Sequence, residues 1–542
     1  MKSKKLLALV LVCAMVIASM AACGSKTEQP STPSTPSTPS TPSTPSTPST
    51  PSTPSTPSTP AEPVVNNTPV VVYCASLFNT LDPYQTNGTG DNYIFTNIYE
   101  CLVTMDNDNN IIPQLAESWD VSDDAMTYTF HLVKDAKFHN GDNVKASDVE
   151  FSINYAKGIV KRATYYGPID TCTAKDDYTV EIKLANVSPL FLSYLYYLPV
   201  LSEKMFNDAG GDISKTDVGS GPYKVVDYDP AQHCIMEAFE DYHLGAPAVK
   251  KAEFRYISDA SSAQVSFEAG EIQVMNVVTN MAEQIMSSGK YNTQVVDNLH
   301  TTLILVNCEK KPLDNAKLRK ALSYAIDKES VIDIAYDGYA KVARLMAGTE
   351  AFGVDFSDAE DISYDPEKAK ALLAEAGYPN GINFADYGIE LNTLVSGYYE
   401  KVAQVVQQNW SDIGVQVNIV GNSNASTDIS GGNYGFFAYG YAYKTDLTYN
   451  QAHYTTKNIG GSNGSHYSDP YVDEAFVKAD AELDQAKRAE IYKELVNYLV
   501  DQCPNIPLFH KQQVVAWDKN LNCSFLTDVN HEFPIYEWSW NN

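Results

Sequence analysis

The sequence predicts an α/β protein of two or three lobes with layered sheet cores. Three observations predict it. From Val64 onward about 480 residues remain, aromatic-rich and mixed in pattern, which is too much chain for one core. Alternating strand patterns and amphipathic helix patterns recur along that stretch. Helix followed directly by strand, repeated, argues for helices layered on sheets.

Taken in order, residues 70–76 are apolar and β-branched and read as an early buried strand, and 91–102 read as a helix. Residues 123–132 alternate as a half-buried strand. A turn at 137–142 follows, and 145–152 open a helix with Ser147 or Asp148 placed for its cap. Asp365-Pro366 is a cap followed by proline at the first helical position. Ala369, Leu372, Leu373 and Ala376 form the apolar stripe, and Gly377 supplies the left-handed stop. Residues 399–413 are amphipathic and end at Gly414, after which Val415, Val417 and Ile419 alternate as a strand.

The N-terminus is read separately. Lys2, Lys4 and Lys5 precede an apolar run from Leu6 to about Met20, the pattern of a secretory signal peptide spanning 1–22. Ala21-Ala22-Cys23-Gly24 resembles the bacterial lipobox, which makes Cys23 the lipidated first residue of the mature chain; the competing reading is an ordinary signal peptide cut near Ala22. A diacylated cysteine holds a membrane far more firmly than one chain does. Residues 23–63 then form a linker containing ten Ser-Thr-Pro triplets from Ser31 to Pro60. Such a segment buries no apolar surface, and proline at that density favours an extended chain reaching on the order of 90 Å. That length suits a tether through a thick, Gram-positive wall.

A formal net charge of −29 makes nucleic acid an improbable partner and fits a solubilising surface on an exported protein. Seven cysteines remain after Cys13 and Cys23 are set aside, scattered singly and without a Cys-x-x-Cys pair. Free buried thiols are the default, with one disulfide left open. No cofactor motif or metal-ligand spacing stands out, and the nine histidines are dispersed.

Blocks in a fixed order carry a family resemblance. They run Ile112-Pro113-Gln114-Leu115-Ala116-Glu117-Ser118-Trp119, the strand at 123–132, Phe138-His139-Asn140-Gly141-Asp142, Val218-Gly219-Ser220-Gly221-Pro222-Tyr223 and Asp241-Tyr242-His243-Leu244-Gly245-Ala246-Pro247. Further on stand Leu318-Arg319-Lys320-Ala321-Leu322-Ser323-Tyr324-Ala325-Ile326-Asp327-Lys328 and Tyr364-Asp365-Pro366-Glu367-Lys368-Ala369. Together they resemble the family 5 extracellular solute-binding proteins, which serve peptide, oligopeptide and nickel ABC importers. The resemblance implies a non-enzymatic, periplasmic-binding-protein-like clamshell (type II, cluster C) with an extra small inserted domain. Mapped here, lobe I takes 64–105, 206–300 and 506–542, inserted domain II takes 106–205, and lobe III takes 301–505. Two crossing strands form the hinge. Implied partners are an oligopeptide or other small ligand, permease and ATPase subunits, and the membrane through the lipid; the protein is expected to act as a monomer on the outer face of the cell membrane.

A clamshell closes because its ligand touches both lobes, so candidates are sought on each. In peptide-binding members an aspartate in a strand-to-loop segment pairs with the ligand's α-ammonium, and Asp446 is the matching position, although Leu447 stands where proline is usual. The physical need is a charge-assisted acceptor for a desolvated cation. Phe437, Tyr439, Tyr441 and Tyr443 recur at period two, making Tyr441 and Tyr443 candidate walls, with core packing the competing reading. Ser76 and Asn79 sit in a segment resembling a loop that meets extended ligands edge-on. Asn92, Asn463, Tyr467 and His510 complete the set. The segment 389–399 lacks the arginine that anchors a dipeptide carboxylate in dipeptide-specific members, which argues against strict dipeptide specificity and leaves longer peptides, bound through their main chain, and oligosaccharides stacked on tyrosine rings both compatible. An oligosaccharide, a nickel chelate or a non-transport surface receptor are the alternatives. Gly460-Gly461-Ser462-Asn463-Gly464 fits the nucleophile-elbow spacing formally, but neither a strand before it nor a helix after it is expected.

Overall fold

Val70–Cys74 is buried along its whole length and pairs in parallel with Lys251–Tyr256, as a β-branched run flanked on both faces must. It belongs to an 11-stranded sheet. The computed structural model describes residues 68–86, 88–106, 110–159, 161, 163–395, 397–524 and 533–541. All of these fall in one compact unit, Val64–Asn542. The signal peptide, Cys23 and the whole linker lie outside the described residues.

From one edge the sheet runs Ile419–Asn422, Leu391–Leu394, Phe436–Ala442, Asn292–Val306, Asn505–Trp517, Val274–Val277, Val70–Cys74, Lys251–Tyr256, His233–Ala238 and Tyr223–Asp229. Ala340–Val342 adds to Asn505–Trp517 off this path. The two central strands are 15 and 13 residues long and pair antiparallel. One end of the pair, with Val514, Val515 and Ala516, packs into the two cores built around Val70–Cys74. The other, with Ile304, Val306, Ile506 and Phe509, packs into a core with Trp410 and Phe436. A further core, around Phe437, Tyr454 and Tyr492, covers the opposite face of that second half. The two strands thus run from one body into the other. Between them the ladder slips: Asp297 faces Gln512 and Thr301 faces His510, so Asn298, Leu299 and His300 stand opposite the single residue Lys511.

A separate four-stranded antiparallel sheet is made of Ala116–Val121, Thr127–Leu132, Thr179–Leu184 and Ile169–Asp176. Tyr128, Phe130 and Leu132 alternate inward, as the sequence pattern predicts, and their core merges with that around Val70–Cys74. The helix packed on it, Ala146–Lys157, is entered through Lys145. Asp148 sits one turn in and accepts a 2.9 Å hydrogen bond from the Lys145 amide, so it closes the cap from inside the helix; Ser147 takes no part.

Most quoted sequence blocks have structural duties. Arg319 is buried and donates to the carbonyls of Cys503 (2.9 Å) and Gln502 (2.7 Å), satisfying carbonyls at the end of helix Gln485–Gln502, and to the Leu313 carbonyl (2.8 Å). Asp365 accepts from the Lys368 amide at 2.9 Å to start helix Pro366–Glu375, and Gly377 stops it at φ +103°. Gly219 lies so close to the Ile98 carbonyl that any Cβ there would collide with it. The predicted strand after Gly414 divides: Val415–Gln416 pairs with Ile382–Asn383, and Ile419–Asn422 joins the main sheet. All seven described cysteines are free thiols.

Candidate ligand-binding site

A cavity of about 1160 Å³ opens where the crossing strands pass between the two bodies. Tyr73, Ser76, Asn92 and Asn276 line it from the first body, Tyr165 and Tyr197 from the inserted segment, and Tyr336, Tyr398 and Lys444 from the second. The register slip supplies its floor, because Asn298, Leu299, His300 and Lys511 all face it. A bulge that re-aims side chains beside a site is a recurrent device. Formal charge on the lining comes from Asp106 and Glu537 on one side and Lys444 and Lys511 on the other. Lys444 lies over the Tyr197 ring, 4.8 Å from its centroid. Lys511 lies over Tyr398 at 4.9 Å and Tyr336 at 6.0 Å, and burial pushes its ammonium down to about 8. A side cavity of about 400 Å³ shares Lys511 and Asn298 with the main one.

The structure divides the sequence candidates. Ser76 and Asn92 line the main cavity. Asn79 does not; its side chain donates at 2.7 Å to Asp91, in the first turn of helix Thr89–Ile98. Asp446 is buried away from both cavities and paired with Arg488, whose guanidinium donates two hydrogen bonds of 2.7 and 2.9 Å. Burial pushes the Asp446 carboxyl up and the guanidinium opposes it, so its counter-charge is already supplied from within. It also accepts from the Thr448 amide at 2.8 Å, capping the turn Leu447–His453.

Tyr441 packs among Tyr439 and His453, with ring centroids 5.2 and 4.5 Å away, as part of the second body's core. Tyr443 and His510 line the side cavity, their rings 5.2 Å apart, with the Tyr443 hydroxyl donating to Glu350. His510 meets Thr301 at 2.9 Å, and burial pushes it down to about 4. Asn463 is fully buried, donating to the Thr455 and Tyr467 carbonyls, and Tyr467 hydrogen-bonds Asp469. Neither lines the main or the side cavity. Ser462 is exposed in a turn flanked by the short 3-10 segment Thr456–Asn458 and helix Pro470–Ala481, without the strand a nucleophile elbow needs. No cluster of three metal-ligating side chains occurs among the described residues.

Sequence reasoning missed Lys444, Lys511, Asn298 and the tyrosines of the inserted segment. Lys444 directly follows Tyr443 in the segment already singled out. Lys511 lies next to His510, and only the register slip directs it into the cleft.

The model of the bacterial extracellular solute-binding proteins, family 5, matches residues 110–463. The chain belongs to this family. It is 28% identical over 482 residues to the glutathione-binding protein GsiB of Pectobacterium atrosepticum, covering 85% of this chain and 92% of that one. It is 29% identical over 461 residues to heme-binding protein A of Haemophilus influenzae, covering 78% and 83%. Its fold is similar to that of the substrate-binding protein CtaP of Listeria monocytogenes, with a TM-score of 0.79, 24% identity and coverage of 88% and 100%. It is also similar to DppA of Helicobacter pylori in complex with the peptide STSA, with a TM-score of 0.73, 24% identity and coverage of 87% and 98%. The fold is therefore the type II periplasmic-binding-protein clamshell, and the chain is a non-enzymatic, extracytoplasmic substrate-binding protein of an ABC importer. No described helix is long and apolar enough to cross a membrane.

Proposed function

We propose that this substrate-binding protein captures oligopeptides and, tethered through Cys23 by its Ser-Thr-Pro linker, hands them as a monomer to a permease on the outer face of a Gram-positive membrane. In this reading lobe I takes 64–105, 206–300 and 506–542, the inserted domain 106–205 and lobe III 301–505, and the paired strands Asn292–Val306 and Asn505–Trp517, which run between the two bodies, support a hinge there. The observation that carries the peptide reading is the main cavity itself. It holds about 1160 Å³, more than a single small ligand needs. Amide side chains at Asn92, Asn276, Asn298, Gln512 and Gln513 offer donors and acceptors for a peptide main chain. Carboxylates on one side and ammonium groups on the other suit a zwitterion. DppA with the peptide STSA supports the same reading by analogy.

The tyrosine-lined wall favours one competitor, an oligosaccharide stacked on those rings. A thermal-shift series with tri- to pentapeptides, neutral oligosaccharides, a nickel–histidine chelate and free amino acids separates the two. Peptides are expected to raise the melting temperature by mass action. A shift from a sugar alone overturns the peptide reading.

A further inference from the structure

Lys511 is a charged cleft residue placed by an irregularity in the hinge. Were the ladder between Asn292–Val306 and Asn505–Trp517 regular, one residue would face it. Instead Asn298, Leu299 and His300 share that place, and all four residues contribute to the lining of the main cavity. Lys511 also belongs to the side cavity, so it stands on the wall between the two. Its neighbours hold it without neutralising it. The faces of Tyr398 and Tyr336 steady the ammonium, and among the described residues no carboxylate forms an ion pair with it. Asp297, also on the side-cavity lining, is engaged by Lys341 at 2.6 Å and by Gln512 at 2.9 Å. Glu350, on the same lining, takes the Tyr443 hydroxyl.

A half-buried ammonium is normally paired, because desolvating it costs free energy that only an anion or several hydrogen bonds return. One that faces a cavity and rests only on the faces of neutral aromatic rings is arranged for a counter-ion from outside. Carboxylate is the anion that fits. A lysine binds it as a point charge without demanding the planar fork an arginine presents, and the amides of Gln512, Gln513 and Asn298 can donate to its second oxygen.

We propose that Lys511 anchors a carboxylate of the cargo, so that the cleft selects ligands carrying a free carboxylate over their neutral counterparts. Resting on the peptide reading, this names the C-terminal carboxylate as the recognised end. Lys444, on the same side of the cavity, is held over the Tyr197 ring. The arginine missing from 389–399 is thereby replaced by a cation of different origin, presented by the hinge itself.

The test pairs one tri- to pentapeptide free acid with its C-terminal amide, titrated calorimetrically against the wild type, Lys511→Gln and Lys511→Arg. Unliganded melting curves check that each variant folds. The free acid is expected to bind the wild type at least 10-fold more tightly than the amide. Lys511→Gln should remove most of that preference by weakening only the acid, and Lys511→Arg should restore part of it. Equal binding of acid and amide to the wild type, or an equal loss of both in Lys511→Gln, overturns the proposal while leaving the peptide reading intact. If no peptide binds but an acidic sugar or a small dicarboxylate does, and Lys511→Gln abolishes it, the carboxylate anchor stands and the peptide reading falls. Binding of a neutral sugar alone, or of none of the carboxylate probes, overturns both.

Discussion

Asp446 and Lys511 are both charged groups drawn out of water, and they end in opposite situations. Asp446 follows the strand Phe436–Ala442, caps the turn Leu447–His453 and meets Arg488 in a two-pronged contact inside the second body. Lys511 stands at the handover between bodies with aromatic faces beneath it and a cavity in front. The first charge is answered within the chain and contributes to the fold; the second is unanswered and available to a ligand. Residue type and neighbouring sequence do not separate these roles, whereas the location of the counter-charge does.

The largest expected effect breaks the answered side. Asp446→Asn leaves the Arg488 guanidinium buried without its anion, and breaking such a pair costs about 3–5 kcal/mol. Denaturant unfolding should register that loss, with the free-acid preference of any ligand bound by the folded fraction unchanged. A fully stable Asp446→Asn protein that has lost only its affinity for peptides with a free amino terminus would return Asp446 to the role the sequence resemblance assigns it.

The next effect sharpens the unanswered side and has a defined sign. Burial lowers the folded-state pKa of Lys511 from its ordinary value near 10.5 to about 8. Between these values the unfolded chain binds more protons, so stability rises with pH across the window. Below about pH 8 the penalty is fully present, and above about 10.5 it is gone. Lys511→Met, which removes the charge, should therefore stabilise the unliganded protein at pH 7 by on the order of 2 kcal/mol, with the difference shrinking as pH rises. Nearby groups leave the window clear: Tyr398 and Tyr336 are pushed up by burial and His510 is pushed down to about 4. For Asp297 burial works upward, but hydrogen bonds from Lys341 and Gln512 hold it below the usual carboxylate range. A wild-type-minus-variant stability difference that is flat from pH 7 to 10 would show that Lys511 is already neutralised.

The same contrast explains what was legible in the sequence. Asp365 and Gly377 could be read because helix ends act through neighbours in sequence, whereas Arg319 and Gly219 stood out only as members of family blocks, since their partners Cys503 and Ile98 are distant in sequence. The period-two tyrosines announced a strand face correctly, but periodicity cannot say which side of a sheet is the core, and that face packs inward. Ser76 and Asn92 reach the cleft because a strand end and a helix start present short polar groups there. Lys511 was illegible because its place depends on a slip between strands about 200 residues apart in sequence, and such a slip leaves no local pattern. Arg488 was missed for the same reason: it meets Asp446 only once helix Gln485–Gln502 docks.

The smallest effect links the two regions. Capping by Asp446 and the grip of Arg488 fix the turn Leu447–His453, and that turn presents Tyr449 to the inserted segment, where its ring meets Tyr194 edge-on at 5.6 Å. The buried Tyr449 hydroxyl has no hydrogen-bond partner among the described residues, so the ring carries the contact. Such a contact is worth about 0.5–1.5 kcal/mol beyond area burial, and it forms only when the second body stands against the inserted segment. It therefore favours the closed arrangement by differential contact, the same way a ligand does. Tyr449→Phe keeps the ring and removes an unsatisfied hydroxyl, so ligand affinity should stay within about twofold. Tyr449→Ala should weaken it by about 2- to 10-fold and raise the radius of gyration of the unliganded protein in solution scattering. Equal behaviour of the two variants would mean that closure is set by the ligand and the hinge alone, and would leave Asp446 with a purely local role.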